Sequence, residues 1–179
     1  AVICIEDPLR EEAPAVVKAL KKAGFSKVVM MTGDSERTAR AVAAKVGVDE
    51  YYSEVLPEDK ASFVEKEKAK GRKVVMLGDG INDSPALSAA DAGIAVSEGA
   101  EIAREIADIT IGADNLEGIV VLKHISDALM KRIHNNYRTI IGINGGLIAL
   151  GVTGIIMPTT SALLHNMSTL TISLRSMRN

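Results

Sequence analysis

The stretch Val74 to Leu87, VVMLGDGINDSPAL, constrains this chain more than any other. Val74, Val75, Met76 and Leu77 form an apolar run that leads into Gly78-Asp79-Gly80, then Asn82 and Asp83, then Ser84-Pro85 and a helix-like segment. The pattern predicts a buried strand that ends in an acidic turn. Asp79 and Asp83, on a glycine-rich loop at the end of a parallel strand, suit a hard divalent cation such as Mg²⁺. The glycines let the backbone turn sharply and approach whatever the metal holds. The competing reading is a solvated turn with a helix N-cap, and the full GDGIND string behind an apolar strand favours the metal.

Around this turn the chain alternates short strands and helices. Val2 to Ile5 reads as a strand and Glu6 to Arg10 as a turn, because Pro8 lacks an N–H and biases Asp7 away from helix. Val16, Val17, Leu20 and Ala23 then recur at helical spacing, with Gly24 as a stop. The next strand, Val28 to Met31, ends at Thr32-Gly33-Asp34-Ser35, where Asp34 or Ser35 can cap a helix running to Gly47. A hydroxyl and free N–H groups at Thr32-Gly33 can hold a phosphoryl oxygen, or they form a plain capped turn. Tyr51 to Ser53 is a weak strand, and Pro57 opens a helix with Glu58 and Asp59 in its first turn, where they complement the dipole. Lys60 opposes that dipole, so it either faces solvent or meets an anion.

After the Val74 strand the pattern predicts a short helix over Pro85 to Ala90, a strand over Gly93 to Val96 and a helix over Ala100 to Ala107. A strand over Ile109 to Ile111 follows, then a long helix over Leu116 to Tyr137 whose apolar positions Ile119, Val120, Leu122, Ile125, Leu129 and Ile133 recur three or four apart. Strands alternating with helices argue for a parallel α/β sheet with crossovers. The loops after such strands share one edge, so Thr32, Lys60 and Asp79 converge on one candidate site for a phosphoryl group with Mg²⁺.

The composition changes after residue 138, because Thr139 to Leu174 contains no charged residue. At about 1.5 Å per residue, Ile140 to Met157 covers roughly 27 Å, near a hydrocarbon thickness of about 30 Å, and reads as a transmembrane helix. Pro158-Thr159-Thr160 reads as a turn and Ser161 to Leu174 as a more polar return arm. Lys131, Arg132 and Arg138 flank one end and Arg175 and Arg178 the other, which places both ends on the cytoplasmic side of a lipid bilayer. The alternative is a buried helical hairpin. The expected divisions are 1–117, a linking helix over 118–138, and a helix pair over 139–175.

Several classes are disfavoured by composition. A formal charge of −2, with three Tyr, two Phe and no Trp, gives no basic-aromatic groove for nucleic acid. The single Cys4 excludes an internal disulfide and a multi-cysteine zinc site. The abrupt, strand-like start carries no signal-peptide pattern and reads as a truncation.

The motifs resemble a known family. Thr32-Gly33-Asp34, Pro57-Glu58-Asp59-Lys60 and Gly78-Asp79-Gly80-Ile81-Asn82-Asp83-Ser84-Pro85-Ala86-Leu87 resemble, in order and spacing, three signatures of the phosphorylation domain of P-type ATPases. Asp7-Pro8-Leu9-Arg10 looks like the segment ahead of them. The two apolar arms, ending in HNMSTLTISLRSM, are similar to the last membrane helices of the heavy-metal branch.

The resemblance covers essentially the whole chain and implies a haloacid dehalogenase-like α/β fold followed by a transmembrane helical hairpin. It further implies ATP-driven cation export through an aspartyl-phosphate. On that resemblance Asp79 binds the catalytic Mg²⁺ and Asp83 supports it as ligand or from behind. Lys60 neutralises phosphoryl charge, Thr32 and Gly33 hold phosphoryl oxygens with Asp34 beside them, and Asn82 adds a polar contact. Asn144, His165 and Ser168 fall where the last helices contribute to the ion site; the other reading is that they hydrogen-bond neighbouring helices. A histidine there suits Zn²⁺ or Cd²⁺ more than copper.

The departures are equally informative. No DKTGT string, the family's nucleophile motif, occurs in the sequence. The nucleotide-binding domain, the actuator domain and the earlier membrane helices with their cysteine motif are absent too. The expectation is therefore a C-terminal piece of a pump, inactive by itself, whose partners are the transported heavy-metal cation and the rest of that pump. Two alternatives remain: a soluble phosphatase of the same fold, and a membrane-anchored, non-enzymatic module.

Overall fold

The computed structural model describes residues 9–78, 82–96, 105–112 and 115–177. It divides into two compact units, Ala1–Lys123 and His124–Asn179. The first unit contains α1 (Ala13–Lys22), β1 (Val29–Met31), α2 (Glu36–Val46), β2 (Glu50–Tyr52), α3 (Pro57–Ala69), β3 (Val75–Gly78), α4 (Ser84–Ala89), β4 (Ala92–Val96) and β5 (Ile109–Ile111). Helix α5 (Gly118–Val152) starts there and continues into the second unit, which ends with α6 (Pro158–Met177). The expected strand at Val2 to Ile5 lies outside the described residues, as do most of the expected helix over 100–107 and the turn residues Asp79, Gly80 and Ile81.

All described strand pairs are parallel, as the alternation of strands and helices predicts. β1 pairs with β2, and β3, β4 and β5 form a second sheet in that order. An aspartate immediately before a strand sets each pairing. Asp49, ahead of β2, accepts the Val28 N–H at 2.7 Å and returns its own N–H to the Val28 carbonyl. Asp91, ahead of β4, makes the same exchange with Val74, accepting its N–H at 2.9 Å. Asp108, ahead of β5, accepts the Gly93 N–H at 2.8 Å. A carboxylate that holds backbone N–H groups prefers its charged form. The Asp91 carboxyl is accordingly pulled below its usual range by Val74 N–H and then Lys73, and that of Asp49 by Lys21 and then Val28 N–H.

The core between α3, α4 and β3 is built from Val64, Met76, Ala86 and Leu87, with Met31 from β1 against it. Ile94 and Ala95 are buried on β4. Gly93 lets α4 and β4 approach to backbone contact, since a Cβ there would lie 2.7 Å from the Leu87 carbonyl oxygen. Helix α3 ends in a charge cluster around a buried carboxylate, whose basic partners are exposed. Glu67 is only 7% exposed and pairs with Lys70 at 2.6 Å and with Arg72. These two partners, Lys70 first, hold its carboxyl below the usual value of 4.5.

The second unit corrects two expectations. The linking helix and the first apolar arm are one continuous helix, α5, with no break near Tyr137. That helix also stops early. Gly154 takes a left-handed φ of 74°, its N–H bonds the Gly151 carbonyl, and the Ile155 N–H bonds that of Leu150, which terminates the helix at Val152 and leaves Ile155 and Ile156 in the turn. Pro158 then opens α6 instead of lying in a turn. Upstream of Ile140 the same helix is polar, with Asn135, Asn136 and Arg138, and α6 carries His165 and Asn166. Consequently, among the described residues no helix is long and apolar enough to cross a membrane. The apolar stripe expected along α5 buries Ile119 but leaves Ile125, Leu129 and Ile133 exposed.

The Glu67 cluster gives a pH test. A carboxyl depressed in the fold contributes stability that is fully present above its unfolded value and is lost as pH falls through the folded one. Glu67→Gln should therefore lower the urea midpoint at neutral pH, and its deficit relative to the parent should shrink below pH 4.5 and vanish in stronger acid. A deficit that persists undiminished in strong acid would show that the ion cluster contributes nothing.

Candidate active site

The candidate site is assembled from the segments that follow β1 and β3, which belong to separate sheets among the described residues. Met31, the last residue of β1, packs against the core that α3, β3 and α4 share. Thr32 follows it and is tied in at both backbone groups: its N–H bonds the Tyr52 carbonyl at 3.0 Å and its carbonyl accepts the Val55 N–H at 3.0 Å. Leu56, the next residue, receives the Lys60 N–H at 3.2 Å at the start of α3. A short run of backbone bonds thus connects Thr32 to Lys60.

Lys60 reaches across to the other half of the site. Its ammonium lies 2.7 Å from Asp83 Oδ1, with side chains 14% and 12% exposed. This settles the two readings of a lysine in a helix's first turn, because it meets a carboxylate and does not face solvent. Opposite charges this secluded hold each other in place, since removing either leaves a poorly solvated charge. Asp83 sits directly before α4, and its carbonyl accepts the Leu87 N–H at 2.8 Å. Its carboxylate stands over the end of β3: a Cβ on Gly78 would lie 2.5 Å from Asp83 Oδ2 and 2.6 Å from its Cβ. Gly78 therefore serves close approach, and its φ is not left-handed.

The Thr32 loop is organised differently from a simple cap. Ser35 occupies the N-cap position of α2 but makes no side-chain cap bond, and its hydroxyl lies 3.1 Å from that of Thr38. The Thr32 hydroxyl accepts the Asp34 N–H at 3.1 Å and donates to Asp34 Oδ2 at 3.0 Å. Asp34 so fixes where the hydroxyl points. Gly33 is exposed, and a Cβ there would meet only the Val55 carbonyl oxygen, at 3.8 Å. Nothing in the described structure requires glycine at 33, so the open space fits the approach of a ligand.

The donors here are carboxylate and hydroxyl oxygens with one ammonium, which fits Mg²⁺ and a phosphoryl group by chemical type. Asp79 lies outside the described residues, and among those described no group of three His, Cys, Asp or Glu side chains could hold a metal. Asn82 is exposed in the turn before α4. Sequence reasoning brought Thr32 and Lys60 to one edge but missed the Lys60–Asp83 pair and the reason for Gly78. The signal was present: a glycine ending the strand five residues before an aspartate, and a lysine where the helix dipole disfavours one.

In the second unit, His165 Nδ1 and Asn144 Oδ1 lie 2.8 Å apart. Ser168 is not part of that pair; its hydroxyl donates to the His165 carbonyl in its own helix at 2.8 Å. Two of the three residues expected at an ion site are thus brought together, and each satisfies the other.

Comparison with known proteins places these features in a family. Models of haloacid dehalogenase-like hydrolases match residues 1–91 and 61–122. A copper-transporting P-type ATPase of Rhizobium leguminosarum bv. viciae is 41% identical over 93% of this chain and 20% of its own length. A manganese-exporting P-type ATPase of Mycobacterium leprae is 37% identical over 99% of this chain and 25% of its own. The crystal structure of a zinc-transporting PIB-type ATPase in an E2·Pi state superposes with a TM-score of 0.87 at 32% identity, covering 97% of this chain and 28% of that one. The chain therefore spans about a fifth to a quarter of the length of the curated relatives it matches.

The contact at Gly78 predicts a steric effect. Gly78→Ala should force Asp83 off the strand end and destabilise the first unit by about 1–3 kcal/mol, the usual cost of overpacking. Denaturant unfolding reads the loss, and a crystal structure of the variant should show the Lys60–Asp83 pair lengthened. An unchanged midpoint would mean that Asp83 does not sit over Gly78.

Proposed function

Since the chain belongs to the haloacid dehalogenase-like hydrolases, and its relatives support the heavy-metal P-type ATPases, we propose that it forms the Mg²⁺-binding part of the phosphorylation site of such a pump. The carrying observation is the secluded Lys60–Asp83 pair at the end of β3. Asp79 and Asp83 would hold Mg²⁺, Asp79 as ligand and Asp83 as ligand or support, and the bound ion would supply positive charge to the phosphoryl oxygens.

The protein's own residues do the positioning. Lys60 neutralises charge on the transferred phosphoryl group, which needs positive charge around its equatorial oxygens more than it needs covalent partners. Asp83 keeps the ammonium in place. The Thr32 hydroxyl, aimed by Asp34, and the backbone at Gly33 take phosphoryl oxygens, and Asn82 adds a polar contact from the facing turn. The nucleophilic aspartate comes from outside these residues, since they contain no DKTGT string. ATP, the nucleotide-binding and actuator domains and the remaining membrane helices complete the pump, whose phosphorylation domain is cytoplasmic.

In this reading the helices of the second unit belong to the pump's membrane domain. No described helix is apolar enough to span alone. Their hydroxyls support a bilayer setting: Thr139, Ser168, Thr169 and Thr171 bond carbonyls of their own helices, and Thr153, just past α5, bonds the Ala149 carbonyl of that helix, as polar groups facing lipid must. Exposed Ile148, Leu163, Met167 and Leu170 offer apolar surface to lipid or to neighbouring helices. The transported ion is a heavy-metal cation. His165 with Asn144 favours a Zn²⁺ or Cd²⁺ type, although relatives of similar identity are named for copper, manganese and zinc.

Two measurements test this. The purified 179-residue chain should show no Mg²⁺-dependent ATP hydrolysis; robust activity lost on Asp79→Ala would overturn the division of the site. In an intact pump carrying this segment, Lys60→Ala or Asp83→Ala should lower the rate of phosphoenzyme formation by about a hundredfold or more. Phosphorylation at the parent rate in both variants would sink the assignment.

A further inference from the structure

We propose that a cationic cavity at the open end of the α5–α6 hairpin binds the phosphodiester headgroup of an anionic membrane lipid. The cavity has a volume of about 780 Å³, within the range of ligand pockets. Lys131, Arg132 and Arg138 line it from α5 and Arg175 from the last turn of α6, and no carboxylate lines it. Lys131, Asn135 and Arg138 fall at i, i+4 and i+7, so they share one helix face.

The roles within the cavity divide by partner. Arg132 and Asn136 brace the hairpin: Arg132 Nη1 donates to the Ser176 carbonyl at 3.1 Å, and Asn136 Nδ2 to the Ser176 hydroxyl at 3.1 Å. Lys131, Arg138 and Arg175 enter none of the ion pairs among the described residues. Asp127, one turn earlier, has an interaction of its own and does not line the cavity. Like charges gathered in one concavity repel unless an anion joins them, and guanidinium groups match phosphate oxygens in a two-pronged geometry. The Asn135 amide can add a hydrogen bond.

The position selects lipid over a free anion. The cavity lies where the charged part of the sequence gives way to the charge-free stretch from Thr139 to Leu174, and Arg175 marks the other end of that stretch. If the helices stand in a bilayer, this is the level of the headgroups, where basic clusters meet anionic lipid. The proposal rests on the membrane reading above, and its test separates the two.

The full chain is incorporated into phosphatidylcholine vesicles with and without phosphatidylglycerol, and the phosphatidylglycerol retained per chain is counted by native mass spectrometry after mild extraction. Arg138→Gln with Arg175→Gln should lose about tenfold or more of that retention. Arg37→Gln with Lys45→Gln, exposed residues of α2 with the same change in net charge, should retain it. Circular dichroism checks that both variants keep their helices. Equal retention in the parent and the cavity variant, or equal loss in both variants, overturns the proposal. Displacement of the lipid by inorganic phosphate at low millimolar concentration would overturn the lipid as occupant and assign the cavity to free phosphate. Alkaline carbonate extraction reports on the membrane reading separately: a chain stripped from both kinds of vesicle defeats that reading and the lipid site with it. A chain that stays embedded but shows no dependence on Arg138 and Arg175 defeats the cavity alone.

Discussion

Parallel pairing constrains everything in the first unit, and three aspartates enforce it. Asp49, Asp91 and Asp108 each stand immediately before a strand and each hold a backbone N–H of the neighbouring chain segment. Parallel strands have no hairpin turn to set their register, so a fixed point must be supplied at the edge where each strand begins. With the starts pinned, β1 runs out into the Thr32 loop and β3 ends at Gly78, beside which Asp83 stands. The polar chemistry at one end of the sheets thus depends on a row of carboxylates at the other.

At the site edge the same economy of space recurs. Asp83 can stand over the end of β3 because residue 78 has no side chain, and Lys60 can reach it because Pro57 starts α3 close by. The ion pair is secluded enough that each charge depends on the other. A ligand with negative phosphoryl oxygens and a divalent cation would enter a place where the two charges are already set side by side. The protein supplies orientation in advance, which is what a reaction governed by electrostatic positioning requires.

Much of this could be read in the sequence, for a physical reason. The strand run Val74 to Leu77, the glycine stops after α2 and α3 and the proline starts are local signals, and they correspond to elements in the structure, although the strand expected to be buried hides only Met76 and leaves Val75 and Leu77 exposed, because only one face of β3 packs on the core. Lys60 was recognisable because it violates the helix-dipole preference, yet its partner was not, since nothing in linear spacing pairs residue 60 with residue 83. The aspartate clamps were invisible for the same reason: an aspartate before a strand reads as an ordinary turn residue. The end of α5 was misjudged because hydropathy favoured continuing through Met157, whereas the backbone freedom of Gly154 allowed an earlier stop.

The second unit poses the opposite physical problem. A helix pair with no charge between Thr139 and Leu174, yet with asparagine, histidine and five self-bonded hydroxyls, is too polar for an isolated span and too apolar at its surface to remain uncovered in water. Such helices are best accommodated within a bundle, where neighbouring helices share the polar load and cover the exposed Ile and Leu side chains. The Asn144–His165 bond fits that setting, because two polar groups that bond each other cost less in an apolar region than either would alone. The charge-free stretch and the basic residues at its ends are then one design: the interior tolerates only groups that bond one another, and the unpaired cations collect where an anionic layer can meet them.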